Sequence, residues 1–265
     1  MSSPSPRRQA AAPPAPVLPG ALCGAVAQEQ PVVVFVAGQV GSGKTLVMDL
    51  VQAALQRRGG AVRVDRDAYK AVHPRYSAFL AEDVRTAGVL VREETYRWQT
   101  EVEARARPCR YDVVVEEALV DPAEWRASAA AYRRAGYRVE FVALAVPEAV
   151  SQLGVLDRYL RLAKKGRARY VAWDNHDACA AALPEVLAGI ETGRLVDRVV
   201  VVRRAPSPLM GGGAGRRARG RHCWPSVPRP WPSRCGAPRR PGGSRRGWTT
   251  TTSCPPRNTT GSSTS

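Results

Sequence analysis

The sequence predicts an α/β fold, a mostly parallel five-stranded sheet with helices on both faces. Three observations carry that prediction. Short β-branched runs alternate with longer helical patterns from Pro31 onward. The first of those runs, "PVVVFVA", is apolar without polar alternation, as a strand buried on both faces is. A glycine-dense turn, Gly38 to Gly43, joins the first run directly to a helical segment. Strands separated by helices connect by right-handed crossovers, which lay them parallel.

The first strand is "PVVVFVA", and "KTLVMDLVQAALQRRGG" after the turn has helical spacing closed by Gly59 and Gly60. "AVRVD" (Ala61 to Asp65) is the second strand, followed by weaker helical patterns over Tyr76 to Ala87 and Arg92 to Ala106. "DVVVEE" (Asp112 to Glu117) is the third. A helix over Pro122 to Ala135, stopped by Gly136, leads to the fourth, "RVEFVALAV" (Arg138 to Val146). Helices over Glu148 to about Arg161 and Asn175 to Thr192, the latter capped by Asp174, precede the fifth, "DRVVVV" (Asp197 to Val202).

Around this core the composition shifts. Residues 1–16 are Ser/Pro/Ala-rich and are expected to be disordered, 17–204 form the folded domain, and 205–265 form an Arg/Pro/Gly-rich disordered tail. The formal charge of +17 is concentrated there: residues 205–265 hold eleven arginines and no acid. Trp224, Trp231 and Trp248 in that tail leave open a nucleic-acid-binding alternative, in which bases stack on aromatics among cations. The core has no basic helix or aromatic platform for that purpose. The six cysteines form neither a CxxC pair nor a zinc-type spacing, so the expectation is reduced thiols in a cytoplasmic protein. No apolar run reaches signal-peptide or membrane-spanning length.

Gly38, Gln39, Val40, Gly41, Ser42, Gly43, Lys44 and Thr45 fit G-x-x-x-x-G-K-[ST], after a buried strand and at a helix start. Glycines let backbone N–H groups curl into an anion nest, and the helix N-terminus adds partial positive charge. Lys44 then reaches the β and γ phosphates of a nucleoside triphosphate, and Thr45 can ligate Mg2+. Only four lysines stand among 36 arginines in this chain, and one of them is here. The motif identifies a nucleoside triphosphate and leaves hydrolysis, transfer or switching open. Asp65 and Asp67, after the second strand, are expected at the carboxyl edge of the sheet next to this loop, either as a general base and its neighbour or as a turn acid and helix cap. Lys70, His73 and Tyr76 are candidates for the same edge.

"DRDAYKAVHPRY" is similar to the D-x-D-x-[FY]-[KR]-x-x-H-P-x-[YF] segment of the zeta toxin family, and the likeness continues in order through "VVVEEAL", "SQLGVLDRYLRL" and "GRARYVAWDNHD". The resemblance covers about Val17 to Arg204. It implies a P-loop kinase-like fold and an ATP-dependent kinase of the sugar 3′-hydroxyl of UDP-N-acetylglucosamine, usually restrained by a small antitoxin. It further implies Lys44 and Thr45 as phosphate and magnesium contacts, Asp67 as general base, and Arg158 and Arg169 as the pair embracing the γ-phosphate. Glu116 matches a substrate-binding glutamate, although its place at a strand end equally suits a Walker-B-like acid. Glu101 is the counterpart of a second substrate-binding glutamate only with a one-residue shift, and pairing with Arg97 is its alternative. After Glu116 the sequence departs from the pattern: Glu117, Ala118, Leu119 and Val120 replace small hydroxylated and basic residues. That departure keeps open a phosphotransferase acting on an antibiotic or other small-molecule alcohol.

Overall fold

A strand that is apolar at every position can be satisfied only where both its faces are covered, and β1 (Val32–Ala37) is buried at all six residues. The computed structural model describes residues 22–164, 169–193 and 195–203. They belong to one compact unit, Met1–Ala205. The predicted disordered N-terminus 1–16 and the tail 205–265 lie outside the described residues, and with them the three tail tryptophans.

Five strands form one sheet: β1, β2 (Val62–Val64), β3 (Val113–Glu117), β4 (Arg138–Ala145) and β5 (Arg198–Arg203). All pair in parallel, in the order β2-β3-β1-β4-β5. The helices are α1 (Lys44–Gln56), α2 (Arg66–Val72), α3 (Tyr76–Glu82), α4 (Ala87–Leu90), α5 (Arg92–Ala106), α6 (Pro122–Arg134), α7 (Glu148–Ala163) and α8 (Trp173–Gly193). Alternate strand residues feed two cores. Val33, Phe35, Val115 and Phe141 pack with Trp98 of α5, Trp125 and Tyr132 of α6 and Val186 of α8. Val34, Val36, Val114 and Leu144 pack on the other face with Met48 and Leu55 of α1 and Val150 of α7. Among the described residues no helix is long and apolar enough to cross a membrane.

Four details differ from the sequence expectation. The second strand is not beside the first, because β3 inserts between them. The segment after β2 is itself helical, since Asp65 caps α2 by accepting from the N–H groups of Asp67 and Ala68. The expected helix Tyr76 to Ala87 breaks at Asp83, whose carboxylate takes the Arg85 N–H at 2.8 Å and the Thr86 hydroxyl at 3.0 Å. Finally, α8 begins at Trp173, which puts Asp174 inside its first turn rather than at the cap.

The end of the sheet opposite the glycine turn is closed by a buried acid. Asp112, with no exposed side-chain surface, accepts the Val32 N–H at 2.8 Å and Arg58 Nε at 2.6 Å. Asp112→Ala strands both donors, so it should cost about 3 kcal/mol of stability. A urea midpoint equal to that of the wild type would contradict this.

Candidate active site

The loop Gly38–Thr45 leaves β1 without a break, and the Gly38 N–H donates to the Glu117 carbonyl of the neighbouring β3 at 3.3 Å. Gly41 (φ 83°) and Gly43 (φ 98°) take left-handed conformations that side chains resist, which curls the loop. Lys44, only 6% exposed, folds back over it. Its Nζ donates to the Gly38 carbonyl at 2.8 Å and the Gln39 carbonyl at 3.2 Å, and lies 3.7 Å from Glu116 Oε1. Ser42 Oγ is buried with no hydrogen-bond partner among the described residues. Thr45 is exposed on the first turn of α1. Gln39 turns the other way, donating from Nε2 to the Val146 carbonyl at 2.6 Å, so its side chain anchors the loop. Left-handed glycines, an open helix N-terminus and an enclosed ammonium together form an anion cradle.

Beside it the same rim gathers acids and cations from distant segments. Capping by Asp65 starts α2 so that Asp67 stands in its first turn and Lys70 lies one turn on, 3.1 Å away. Arg169, ahead of α8, approaches Asp67 Oδ2 to 3.2 Å, and Arg158 of α7 approaches it to 3.8 Å. Burial pushes the Asp67 carboxyl up, but Lys70, Arg169 and Arg158 outweigh it and hold it down at about 2. Glu116 goes the opposite way. Burial raises its carboxyl to about 7, Lys44 opposes the rise, and Asp65 and Asp67 add to it.

Lys44, Glu116, Asp67, Arg158 and Arg169 are therefore brought to one rim. Glu101 is not: half-buried on α5, it pairs with Arg105 at 3.1 Å, neither with the rim nor with Arg97. His73 is also turned inward, 2.9 Å from Glu94 and stacked on Trp98. Tyr76 is buried near Arg169, Asp67 and Arg158.

Sequence reasoning had not singled out a second acidic group behind the rim. Glu117 points to the face opposite Glu116 and is buried, 3.6 Å from Arg66, which also holds Glu124 at 3.3 Å. Gln99 bridges Glu117 and Glu103, and Ser128 donates to Glu103. Burial lifts the Glu117 carboxyl to about 7 against the pull of Arg66, with Glu103 and Glu124 reinforcing the rise. The signal available was spacing: Gln99 and Glu103 are four apart on one face of α5, the face that also carries buried Trp98 and Val102.

The model of the family described as Zeta toxin matches residues 22–210. The chain belongs to the zeta toxin family. Toxin PezT of Streptococcus pneumoniae serotype 4 is 23% identical over 183 residues, covering 68% of this chain and 72% of PezT. Toxin zeta of Streptococcus agalactiae is 26% identical over 134 residues, covering 51% of this chain and 46% of that toxin. Among solved structures, a chain from the PezAT chromosomal toxin-antitoxin system of Streptococcus pneumoniae superposes with a TM-score of 0.63 at 21% identity, over 71% of this chain and 74% of that one. A chain of the AvrRxo1-ORF1:AvrRxo1-ORF2 complex with sulphate ions reaches 0.50 at 17% identity, over 66% of this chain and 55% of its own. These likenesses establish for this zeta toxin family member the kinase-like P-loop fold, in which β3 lies between the loop strand and the strand leading to Asp67.

Proposed function

We propose that the protein is an ATP-dependent kinase that phosphorylates the sugar 3′-hydroxyl of UDP-N-acetylglucosamine or a related sugar nucleotide. One observation carries the reading: Asp67 stands between Arg158 and Arg169 on the rim that also holds the Lys44 cradle. Phosphoryl transfer asks a protein for positioning and for cations around the moving group. Lys44 and the loop amides hold the triphosphate, while Arg158 and Arg169 grip the γ-phosphate. Asp67 takes the proton of the acceptor hydroxyl as its oxygen bonds to the γ-phosphorus and the bond to ADP breaks.

Both arginines approach Asp67. A γ-phosphate carries more charge than one carboxylate and draws them off, which lets the Asp67 carboxyl rise from about 2 and strengthens it as a base. Mg2+ fits the donors present: Thr45 is exposed beside the cradle, and Glu116 lies 3.7 Å from Lys44 Nζ within it. Such a site suits an ion bound mainly by phosphates and water, and bound Mg2+ would offset triphosphate charge there.

The test is incubation of the protein with ATP and a panel of UDP-sugars while ADP is measured. Turnover with a UDP-amino-sugar supports the reading, and none with any of them removes the acceptor assignment. A second reading, a phosphotransferase of an antibiotic or other small alcohol, is favoured by the wall after Glu116, where Glu117 is buried and Ala118, Leu119 and Val120 offer no hydroxyl or cation. Extending the panel to such alcohols separates the two. On this reading the kinase unit spans residues 17–204, works in the cytoplasm and has a small antitoxin as partner; a solved relative from a toxin-antitoxin system supports the last of these. A nucleotide-dependent nucleic-acid binder would require the tail, so salt-sensitive binding lost on its deletion would favour that instead.

The raised Glu116 carboxyl gives a pH signature. It is protonated below about 7 and anionic above, so kcat/KM should fall as pH drops through about 7. Glu116→Gln should erase that fall, and a fall that persists in the variant would contradict the assignment.

A further inference from the structure

We propose that Gly154 is a positioning residue: a backbone contact between α7 and the phosphate loop, possible only with glycine there, sets where Arg158 stands relative to the cradle. The inference rests on the kinase reading above. A glycine inside a sixteen-residue helix weakens that helix, so its presence calls for a packing cause. The contact supplies one. A Cβ on Gly154 would lie 2.6 Å from the Gly41 carbonyl oxygen, and a Cβ on Gly41 would lie 2.1 Å from the Ser151 carbonyl oxygen. Both obstacles are backbone atoms and cannot swing aside. The helix and the loop therefore meet at a separation that a side chain on either glycine would forbid.

The same face of α7 fixes its rotation. Ser151, Gly154, Val155 and Arg158 follow three- and four-residue spacing and so share a stripe. Ser151 and Val155 are buried. Ser151 Oγ accepts from Gln39 Nε2 at 3.3 Å and lies 2.8 Å from His176 Nε2, so one hydroxyl touches the loop, α7 and α8. With His176 bonded in turn to Asp177, these three side chains have the composition of a hydrolase triad. Full burial of Ser151 and His176 denies them a substrate, and they act as a strut. Arg158 lies one turn beyond Gly154. Its Nε is buried without a hydrogen-bond partner among the described residues, and its guanidinium approaches Asp67 Oδ2 only to 3.8 Å. The path of the helix, more than a tight ion pair, thus determines its position, and a shift of α7 from Gly41 carries the guanidinium with it.

Equilibrium binding of fluorescent ATP and ADP analogues to the full-length protein tests this without requiring turnover. In the kinase reading Arg158 engages only the γ-phosphate, so the preference for ATP over ADP reports its position. Gly154→Ala should reduce that preference about tenfold, the scale of overpacking against rigid neighbours. In an Arg158→Ala background the same substitution should change it by less than about twofold, because its target is gone. Ser151→Ala adds no atom and removes the strut, so it should reduce the preference about threefold and serves if Gly154→Ala does not fold. An unchanged preference in the folded variants, equal weakening of ATP and ADP, or an undiminished effect without Arg158 would each overturn the proposal. A wild type that binds neither nucleotide overturns the kinase reading and the inference together. Binding with the expected Gly154 effect, but no phosphorylation of any acceptor, upholds the inference and sinks only the acceptor assignment.

Discussion

Asp67→Asn should lower kcat by about 10²- to 10⁴-fold while ATP binding is kept or tightened. Asparagine fills the same volume but cannot take a proton, so the acceptor hydroxyl loses its base. The second half of the expectation comes from the ion pairs. Arg158 and Arg169 both approach Asp67, so the carboxylate competes with the γ-phosphate for them. Neutralising it frees both guanidinium groups for ATP. It also leaves Lys70, Arg158 and Arg169 facing one another without an anion, so the nucleotide-free variant should melt earlier and gain more from ATP than the wild type does. The pH sign agrees. The Asp67 carboxyl is depressed to about 2 in the folded protein, so its stabilisation is present above its unfolded value and is lost as pH falls toward about 2. Turnover within about tenfold of the wild type would mean that Asp67 is a structural acid.

Arg169→Ala should lower kcat by about 10³-fold with little change in ADP affinity. The guanidinium is 3.2 Å from Asp67, closer than that of Arg158, and its partner in transfer is charge that exists only on the γ-phosphoryl group. Arg169→Lys should recover only part of the loss, since an ammonium lacks the planar fork that grips two oxygens. Equal losses of ATP and ADP affinity with kcat unchanged would place Arg169 in general nucleotide binding instead. Steady-state rates and nucleotide affinities measured side by side distinguish these outcomes.

The layered fold and the cradle were legible because each rests on a local rule. A run such as "VVVFV" has no polar side to expose, and the Gly38–Thr45 spacing needs only its flanking strand and helix. Strand order is not local. Nothing in "AVRVD" or "DVVVEE" states that β3 will insert between β1 and β2, and so put Glu116 rather than Asp67 on the strand beside the cradle. Helix α2 has seven residues, too few to show periodicity, and only the Asp65 cap marks it. Arg158 and Arg169 could be picked from 36 arginines only through the resemblance of their segments, because composition does not separate a gripping arginine from a solvated one. Glu101 shows the limit of that approach. Each step along a helix turns a side chain by about 100°, so Gln99 and Glu103, two positions to either side of Glu101, face away from it into the core while Glu101 stays half-buried beside Arg105.

The most direct measurement is the phosphorus NMR spectrum of the products formed from ATP, Mg2+ and UDP-N-acetylglucosamine. The account predicts ADP together with an equal amount of a new phosphomonoester on the sugar 3′-oxygen, both formed at least about 10²-fold more slowly with Asp67→Asn. ADP accompanied only by inorganic phosphate would show that water is the acceptor, and would contradict the claim that this rim delivers a phosphoryl group to a sugar.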